Sequence, residues 1–491
     1  MFSLSTGQIK FTLSDMWDAD TLHKHTHEWS EQLSSHTIEN TKRNPIGILA
    51  DNGPDWIAID LAAIQNHAIL IPLPTFFSQG QLHHVIHTAQ INLLITDQPE
   101  RAETLGFYRM SKANTRTLHI MQRPLSPPLS LPKDIAKITF TSGTTGQPKG
   151  VCLGFEQQLH LAQALQVTTE PLHIQTHLCL LPFAVLLENI AGVYTALLSN
   201  ATIVCPPLNN VGLTGASQFD AQRCLDAIAL HQAESIIVLP HMLYALLQAC
   251  GVNDSRTRSL KFIAVGGGKV ARHLLQQAHA ANLPVFEGYG LSECASVVCL
   301  NTPENQRIGT VGKPLPHVTI RVDEHHEIWV KSARRSVYLD EALSNTEPVT
   351  ENPAWIATGD LGTLSPDGFL SIQGRKKNQI ITSFGRNICP EWPEDLLMSS
   401  GHFLQAAIFG EAQPHLTAVL VPTLPIQHTE VQQIISTLNQ QLPDYAQIHQ
   451  FVMANEPFHL DNGLSTANGR LKREAIFKRY LSDTTQQGET Q

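Results

Sequence analysis

Short, continuous apolar runs separated by helical patterns are the feature that most restricts what this chain can fold into. The runs at 46–50 and 68–73 flank a segment, 56–64, in which apolar residues recur at helical spacing. Further runs of this kind occupy residues 93–96, 178–181, 202–205, 235–239 and 261–265. Parallel strands covered by helices on both faces have this continuous apolar character. The pattern therefore predicts an α/β fold built on largely parallel sheets.

The pattern changes near residue 310. Short apolar runs at 318–322, 327–331 and 369–373 follow one another closely with turn residues between them, which predicts a β-rich section over about residues 310–376. Beyond Gly385, strand and helix patterns mix again. The sequence thus predicts a large α/β part, a β-rich section and a small C-terminal α+β part.

Composition and charge exclude several classes of protein. Charged residues make up 15% of the chain and hydrophobic residues 42%, which is typical of a globular protein and not of a disordered one. The net charge of −10 is spread along the chain without a basic block, so nucleic-acid binding is excluded and a small-molecule substrate is favoured. The eight cysteines form no CxxC pair and the N-terminus lacks signal-peptide features, so we expect reduced thiols and a cytoplasmic location.

The most apolar stretch, residues 178–198, has roughly the length of a membrane span. Pro182, Glu188 and Asn189 interrupt it, and polar groups of this kind are costly within a bilayer. We therefore predict a buried helix here, no transmembrane segment, and at most peripheral contact with a membrane.

A loop rich in hydroxyls and glycines follows an apolar strand at 138–151, where the sequence reads ITFTSGTTGQPKGV. Glycines let backbone N–H groups approach a polyanion, hydroxyls donate further hydrogen bonds, and a lysine adds a point charge. A Walker A loop is excluded, because Pro148 precedes Lys149 and a glycine follows it. The predicted phosphate-binding residues are Thr141, Ser142, Gly143, Thr144, Thr145, Gly146 and Lys149.

Together with four later segments, this loop resembles the signature of the adenylate-forming superfamily, which includes acyl-CoA synthetases, adenylation domains of peptide synthetases and luciferases. The segments occur in the expected order between about Ile46 and Lys478, and the chain looks most like medium- and long-chain acyl-CoA synthetases. The resemblance implies ATP, Mg²⁺ and a thiol, either coenzyme A or the phosphopantetheine of an acyl carrier protein. It also implies a large N-terminal domain, residues 1–376, and a mobile C-terminal lid domain, residues 377–491.

The second segment pairs AVGGGK at 264–269 with EGYGLSE at 287–293. The resemblance implies that Tyr289 stacks on adenine and that Ser292 hydrogen-bonds a phosphate. Glu293 would hold Mg²⁺, a hard cation that takes carboxylate oxygen. The remaining residues assigned to the nucleotide are Gly266, Gly267, Gly268, Glu287, Gly288 and Gly290.

The third and fourth segments concern the ribose and the domain hinge. Asp360 follows Thr358-Gly359, and Arg375 follows Gly374; the resemblance implies that both hold the ribose hydroxyls. Lys377 falls on the family's hinge. The resemblance implies that the C-terminal domain rotates about this hinge between two orientations, one for each half-reaction. Gly385, in the SFGRNICP segment, would border the thiol tunnel.

The fifth segment, LSTANGRLKR at 464–473, resembles the closing motif in which a lysine bridges the carboxylate and the α-phosphate. Arg470 stands in the place of that lysine and carries the same charge on a larger, planar group. We predict that it serves the first half-reaction. The predicted catalytic set is therefore Lys149, Ser292, Glu293 and Arg470.

The region between the phosphate loop and the GGG segment is strongly apolar and is expected to line the acyl pocket, with Phe183, Leu187 and Glu188 as candidates. An apolar wall favours a fatty or aryl acid over an amino acid. Glu188 leaves one alternative open, because its carboxylate could pair with the α-ammonium of an amino-acid substrate. The predicted reaction is ATP-dependent activation of a carboxylic, fatty acid to an acyl-adenylate and its transfer to coenzyme A. The alternatives are a ligase that loads a carrier protein, an amino-acid adenylation domain, and a nucleotide-binding protein without catalysis.

Overall fold

The structure is a computed structural model of the chain. It describes residues 8–10, 16–34, 45–112, 118–124, 129, 131–142, 148–215, 218–251, 253–332, 336–344, 355–383, 386–466 and 469–482.

Strands and helices alternate through the first three hundred residues. The first strands are β1 (Ile9–Lys10), β2 (Met16–Trp17), β3 (Ile46–Leu49), β4 (Leu70–Pro72), β5 (Leu93–Thr96), β6 (Tyr108–Lys112), β7 (His119–Gln122), β8 (Ile135–Ser142) and β9 (Pro148–Gly154). The next are β10 (Thr176–Leu178), β11 (Thr202–Val204), β12 (Leu213–Thr214), β13 (Gln218–Phe219), β14 (Ser235–Val238), β15 (Phe262–Val265), β16 (Val285–Leu291), β17 (Ser296–Leu300) and β18 (Lys313–Pro314). The helices between them are α1 (Ala19–Ser34), α2 (Pro54–Gln65), α3 (Gln79–Thr88), α4 (Pro99–Thr104), α5 (Phe155–Thr169), α6 (Thr195–Leu198), α7 (Ala221–His231), α8 (Pro240–Ala249) and α9 (Arg272–Ala280).

The remaining elements belong to the β-rich section and to the C-terminal part. The β-rich section contains β19 (Val318–Val322), β20 (Glu327–Ser332), β21 (Val337–Tyr338), α10 (Leu339–Ser344), β22 (Trp355–Leu364) and β23 (Leu370–Arg375). The C-terminal part contains β24 (Ile380–Ile381), β25 (Asn387–Ile388), α11 (Glu391–Ser399), β26 (Phe403–Phe409), β27 (Leu416–Pro422), α12 (His428–Asn439), β28 (Ile448–Met453) and α13 (Arg473–Tyr480). Short 3₁₀ turns occupy Glu170–Leu172, Leu208–Val211, Ser255–Thr257, Ser292–Cys294, Lys376–Asn378 and Asp444–Ala446.

Two large sheets form the N-terminal part. One has eight strands in the order β21-β9-β8-β4-β3-β5-β7-β6, and the other has nine in the order β18-β17-β16-β15-β14-β10-β11-β1-β2. The inner strands of both sheets are parallel, whereas the outer pairs, such as β8 with β9 and β16 with β17, are antiparallel. Strands β3, β5 and β14 are buried along their whole length. The predicted α/β class with largely parallel sheets is confirmed.

The β-rich section and the C-terminal part are also present. Strands β19, β20, β22 and β23 form an antiparallel sheet. In the C-terminal part, β26 pairs antiparallel with β27, and β27 pairs parallel with β28. Helices α11 and α12 supply Leu397, Val431 and Ile435 to the core on one face of this sheet. The α+β class predicted for the small C-terminal part is thereby confirmed.

The structure corrects the prediction of a single buried helix over residues 178–198. Strand β10 ends at Leu178, turns follow, and a π-helix begins only at Leu187 and ends at Tyr194, where α6 continues it. Pro182 lies in a turn in which the N–H of Val185 donates to its carbonyl oxygen at 2.9 Å. The apolar stretch is buried, as predicted, but it crosses from a strand to a helix. Within the part of the chain that the structure describes, every helix is too short or too polar to cross a bilayer.

Candidate active site

An antiparallel hairpin presents the residues on either side of the phosphate loop. Strands β8 and β9 pair with Thr141 opposite Lys149 and Ser142 opposite Pro148. Thr141 is half-buried and Lys149 is exposed. The predicted loop residues Gly143, Thr144, Thr145 and Gly146 lie outside the described residues, as does the side chain of Ser142. The hairpin therefore places a lysine and a hydroxyl at the two ends of the loop.

The glycine segment lies at the end of β15, beside β16. Gly266, Gly267 and Gly268 follow Val265, the last residue of β15, and Gly267 has a φ of +80°, which a side chain would strain. In β16, a Cβ on Gly290 would lie 1.7 Å from the carbonyl oxygen of Ser296. Glycine is required at Gly290 because β16 and β17 approach each other closely there. Gly288 is also tight, with a Cβ position 3.2 Å from the carbonyl oxygen of Cys299.

Glu287 opens the same segment and is buried. Desolvation raises the pKa of its carboxyl to about 8, against the opposing effects of the Val270 backbone N–H and the Lys269 ammonium. At neutral pH this group is therefore largely protonated and able to donate a hydrogen bond.

Tyr289, Asp360 and Arg375 form a hydrogen-bonded cluster. The Tyr289 hydroxyl donates to Asp360 Oδ2 at 2.6 Å, and Arg375 Nε lies 2.6 Å from Asp360 Oδ1. Asp360 follows Gly359, which has a φ of +68°, and its N–H donates to the hydroxyl of Thr358 at 3.0 Å. Burial raises the pKa of Asp360, and Arg375 and the tyrosine hydroxyl oppose that shift. The two predicted ribose-binding residues are thus brought together, next to the residue predicted to contact adenine.

Glu293 lies within electrostatic range of Asp360 and Arg470. It belongs to the 3₁₀ turn Ser292–Cys294 and is half-buried. The Tyr338 hydroxyl donates to Glu293 Oε1, and burial, followed by Glu293, raises the pKa of that phenol. Tyr338 lies in β21, which pairs with β9, the strand of the β8–β9 hairpin that carries Lys149. A half-buried carboxylate of this kind offers the oxygen ligand that Mg²⁺ prefers, so the residue fits the predicted metal role.

The C-terminal part contributes Arg470 to the same cleft. A short turn holds the residue, since the N–H of Thr466 donates to the Arg470 carbonyl at 2.8 Å and the N–H of Arg470 donates to the Thr466 hydroxyl at 3.1 Å. The residue as a whole is exposed, yet desolvation and then Arg375 lower the pKa of its guanidinium, while Asp360 and Glu293 act in the opposite sense. Water weakens the effect of these charges on an exposed side chain. The Arg470 guanidinium nevertheless faces Arg375, Asp360 and Glu293.

Lys377 faces the same set of charges. Desolvation, Arg375, Arg470 and Lys149 lower the pKa of its ammonium, and Asp360 opposes them. Arg375, Lys377 and Arg470 therefore lie within electrostatic range of Asp360, Arg470 also lies within range of Glu293, and Lys149 lies within range of Lys377. An excess of positive charge in a cleft draws a polyanion.

An apolar cavity of about 80 Å³ lies under the π-helix. Leu187 and Ala191 of that helix line it, together with Ala264 of β15 and Val297 of β17. Phe183, in contrast, packs in the core against Trp56, with ring centroids 5.5 Å apart. The cavity lies beside the glycine segment, because Ala264 precedes Gly266 by two residues.

Glu188 does not project a free carboxylate into this cavity. Its Oε1 lies 2.8 Å from His177 Nε2, and its Oε2 accepts the N–H groups of Leu180 and Leu181 at 3.1 and 2.8 Å. His177 Nδ1 in turn lies 2.9 Å from the Ser235 hydroxyl. Cys179 is also close enough for a His-Cys-Glu metal site, but both carboxylate oxygens are already hydrogen-bonded. This arrangement is a satisfied buried cluster.

Sequence reasoning missed Tyr338, His177 and Ser235. Tyr338 belongs to no recognisable motif. His177 and Ser235 are distant in sequence and come together because β10 and β14 are neighbours in the sheet. The predicted thiol-tunnel residue, Gly385, lies outside the described residues.

The sequence of this chain matches the models of a known protein family. Residues 20–332 match the family model described as AMP-binding enzyme, and residues 377–486 match the one described as AMP-binding enzyme C-terminal domain. Long-chain-fatty-acid–CoA ligase 1 of Homo sapiens is 24% identical, over 94% of this chain and 81% of that protein. The 2-succinylbenzoate–CoA ligase of Bacillus licheniformis is 28% identical, over 74% and 76%.

Two solved structures share the fold. The o-succinylbenzoate CoA synthetase of Bacillus subtilis, in complex with ATP and magnesium ion, has a TM-score of 0.73 at 22% identity, covering 96% of each chain. The anthranilate CoA ligase AuaEII, in complex with anthranoyl-AMP, has a TM-score of 0.76 at 15% identity, covering 98% of this chain and 95% of that one.

Proposed function

Because the chain belongs to the AMP-binding enzyme family, we propose that it joins a compact, apolar carboxylic acid to the thiol of coenzyme A at the expense of ATP. The family match confirms the predicted adenylate-forming superfamily. The predicted class of AMP-forming acid–thiol ligase is confirmed by its relatives, which are named CoA ligases. ATP, Mg²⁺ and coenzyme A are the cofactors of that class.

The observation that carries the proposal is the clustering of cations in the cleft, where Arg375, Lys377 and Arg470 act on Asp360 and Lys149 lies within range of Lys377. The substrate carboxylate attacks the α-phosphate of ATP, the bond to the β-phosphate oxygen breaks, and pyrophosphate leaves. Negative charge builds up on the phosphates in this step, so fixed cations around them lower the barrier. Lys149 faces the leaving pyrophosphate, and Arg470 faces the α-phosphate and the attacking carboxylate.

The other residues bind and orient the nucleotide. Asp360, oriented by Arg375 and Tyr289, accepts hydrogen bonds from the ribose hydroxyls. Glu293 would hold the Mg²⁺, which neutralises phosphate charge when bound. The acyl-adenylate formed is then attacked by the thiol at the acyl carbon, which releases AMP and yields the thioester.

The cavity under the π-helix supports an apolar acid without a free amino group. Its walls are mainly apolar, and the nearby carboxylate of Glu188 is already bound by His177 and two backbone N–H groups. Among the described residues that line the cavity, none offers an acidic partner to an α-ammonium. The volume of this cavity is about 80 Å³, whereas a cavity of about 150 Å³ is known to hold benzene. A short aliphatic or a small aryl acid therefore needs less rearrangement than a long alkyl chain.

A panel of acids tests the proposal. The purified protein is incubated with ATP, Mg²⁺, coenzyme A and an equimolar mixture of C4 to C16 fatty acids, aryl acids and amino acids, and thioesters are identified by mass spectrometry. We expect thioesters of short aliphatic or aryl acids to dominate, with AMP as the coproduct. A second incubation offers a phosphopantetheinylated carrier protein in place of coenzyme A. Preference for the carrier protein, for long chains or for amino acids would contradict the proposal, as would the absence of any AMP-forming product.

A further inference from the structure

An ion pair joins the glycine segment of the N-terminal part to the first helix of the C-terminal part. Lys269, directly after Gly268, pairs its ammonium with the carboxylate of Asp395 in α11. The same ammonium lies 3.5 Å from the main-chain oxygen of Glu391, at the start of that helix. The side chains of Lys269 and Asp395 are 33% and 29% exposed. A pair buried to this extent is screened less than a fully exposed one.

Ion pairs connect helix α11 to the segment that carries Arg470. Arg473 makes a two-pronged contact with Glu394 of α11, with nitrogen–oxygen distances of 2.6 and 2.8 Å, and it lies 3.5 Å from Glu391. Arg473 follows Arg470 by only three residues. The position of α11 on the N-terminal part therefore determines where Arg470 lies, through a continuous path of charged contacts.

Among the described residues, the contacts of this pair run between Lys269 and α11 and do not include Lys149, Arg375 or Asp360. Lys269 faces α11, whereas Arg375 and Arg470 face the cleft around Asp360. Asp395 is also the carboxylate whose partner is lost if the C-terminal part turns away, since it lies beyond Lys377 in the chain. An ion pair, unlike a packed apolar interface, can break and reform in water at small cost.

We propose that Lys269 and Asp395 are positioning residues that hold the C-terminal part in the orientation in which Arg470 reaches the cleft. The proposal rests on the proposed function for its kinetic consequence. Breaking the pair lowers the fraction of molecules with Arg470 in place, so acyl-adenylate formation slows. Attack by the thiol does not use Arg470 and is expected to be unaffected or faster.

The Asp395→Asn variant tests this idea, because it breaks the pair and keeps the Lys269 ammonium beside buried Glu287. Lys269 lowers the pKa of Glu287 and Asp395 raises it, so the variant leaves the first of these two influences in place. Asp395→Glu keeps the charge. Lys261→Met serves as the matched control, since Lys261 pairs with Glu234 at 2.9 Å within the N-terminal part, at a comparable exposure of 40% and 19%.

Two measurements are made on each variant of the full chain. Single-turnover kinetics with the acid that wild type uses best give the rate of acyl-adenylate formation, and supplied acyl-adenylate gives the rate of thiolysis. Hydrogen exchange, measured with ATP and Mg²⁺ alone, reports the protection of amides in α11 and in residues 469–473.

We expect Asp395→Asn to slow adenylate formation by about fivefold and to leave thiolysis unchanged or faster. Its α11 amides should exchange faster, and its adenylation rate should depend less on salt concentration than that of wild type. Asp395→Glu should recover most of the rate, and Lys261→Met should behave as wild type. An equal loss in both steps, or unchanged exchange in α11, would overturn the proposal. If wild type activates no acid, the proposed function fails, while the exchange result still decides whether the pair holds α11.

Discussion

Replacing Lys137 by methionine should destabilise the N-terminal part by about 3–5 kcal/mol, the usual cost of leaving one member of a buried ion pair without its partner. Lys137 is 1% exposed, and its ammonium lies 2.9 Å from Asp60 Oδ2, 2.5 Å from Asn189 Oδ1 and 3.0 Å from the Tyr194 hydroxyl. The substitution conserves most of the side-chain volume. It therefore removes a charge and three hydrogen bonds without opening a large cavity.

The magnitude follows from what remains around Asp60. Its Oδ2 would still accept hydrogen bonds from Asn189 at 2.9 Å and from Tyr194 at 2.8 Å, while its Oδ1 finds no hydrogen-bond partner among the described residues. Two neutral donors cannot compensate a carboxylate that is 1% exposed. Asn189 and Tyr194 belong to the π-helix, so the KM for the acid should also rise while the KM for ATP stays nearly unchanged.

Urea denaturation, followed by tryptophan fluorescence, measures this loss. The Lys137→Met/Asp60→Asn double variant should recover much of the stability, because it removes the buried charge as well as its partner. Lys261→Met, which removes a more exposed lysine, should change the stability by at most about 0.5 kcal/mol. A loss below about 1 kcal/mol in Lys137→Met, or a double variant less stable than the single one, would refute the reasoning.

Three further predictions concern the cleft. Arg470→Ala should slow acyl-adenylate formation by about 10²- to 10³-fold, the scale for removing one electrostatic donor. Arg470→Lys should retain activity. Equal rates in the alanine variant and wild type would remove the residue from the mechanism. Asp360→Ala should weaken ATP binding by about 1.5–3 kcal/mol, and unchanged affinity in titration calorimetry would contradict its ribose role. Since the pKa of Glu287 rises from 4.5 to about 8 on folding, its contribution to stability is fully present below pH 4.5 and is lost as pH rises through 8. Glu287→Gln should flatten the dependence of Tm on pH across this window, and an unchanged profile would show that the group titrates normally.

The fold was predictable where the apolar pattern was continuous. Residues 46–49, 93–96 and 235–238 are buried strands because parallel strands covered on both faces have no polar side, and the sequence shows this directly. The stretch 178–198 was not predictable in detail, since periodicity does not separate a buried strand from a buried helix. Its division at Pro182 depends on tertiary packing.

The candidate site was predictable only where residues lie in compact motifs. Asp360 and Arg375 were paired from their motifs and are in contact. Tyr338, Lys269 and Asp395 carry no motif, and their partners are distant in sequence, so only the folded chain reveals them. The engagement of Glu188 by His177 has the same origin, because strand pairing sets it and local pattern does not.

The central claim is that this cleft activates a carboxylate by forming its adenylate, with Lys149 stabilising the leaving pyrophosphate. The most direct measurement is acid-dependent exchange of labelled pyrophosphate into ATP, compared with thiolysis of supplied acyl-adenylate, in wild type and in Lys149→Ala. The account predicts acid-dependent exchange in wild type, and in the variant an exchange rate lower by about 10²-fold or more with thiolysis nearly intact. Wild-type protein that exchanges no pyrophosphate with any acid, or a variant that loses both steps equally, would contradict it.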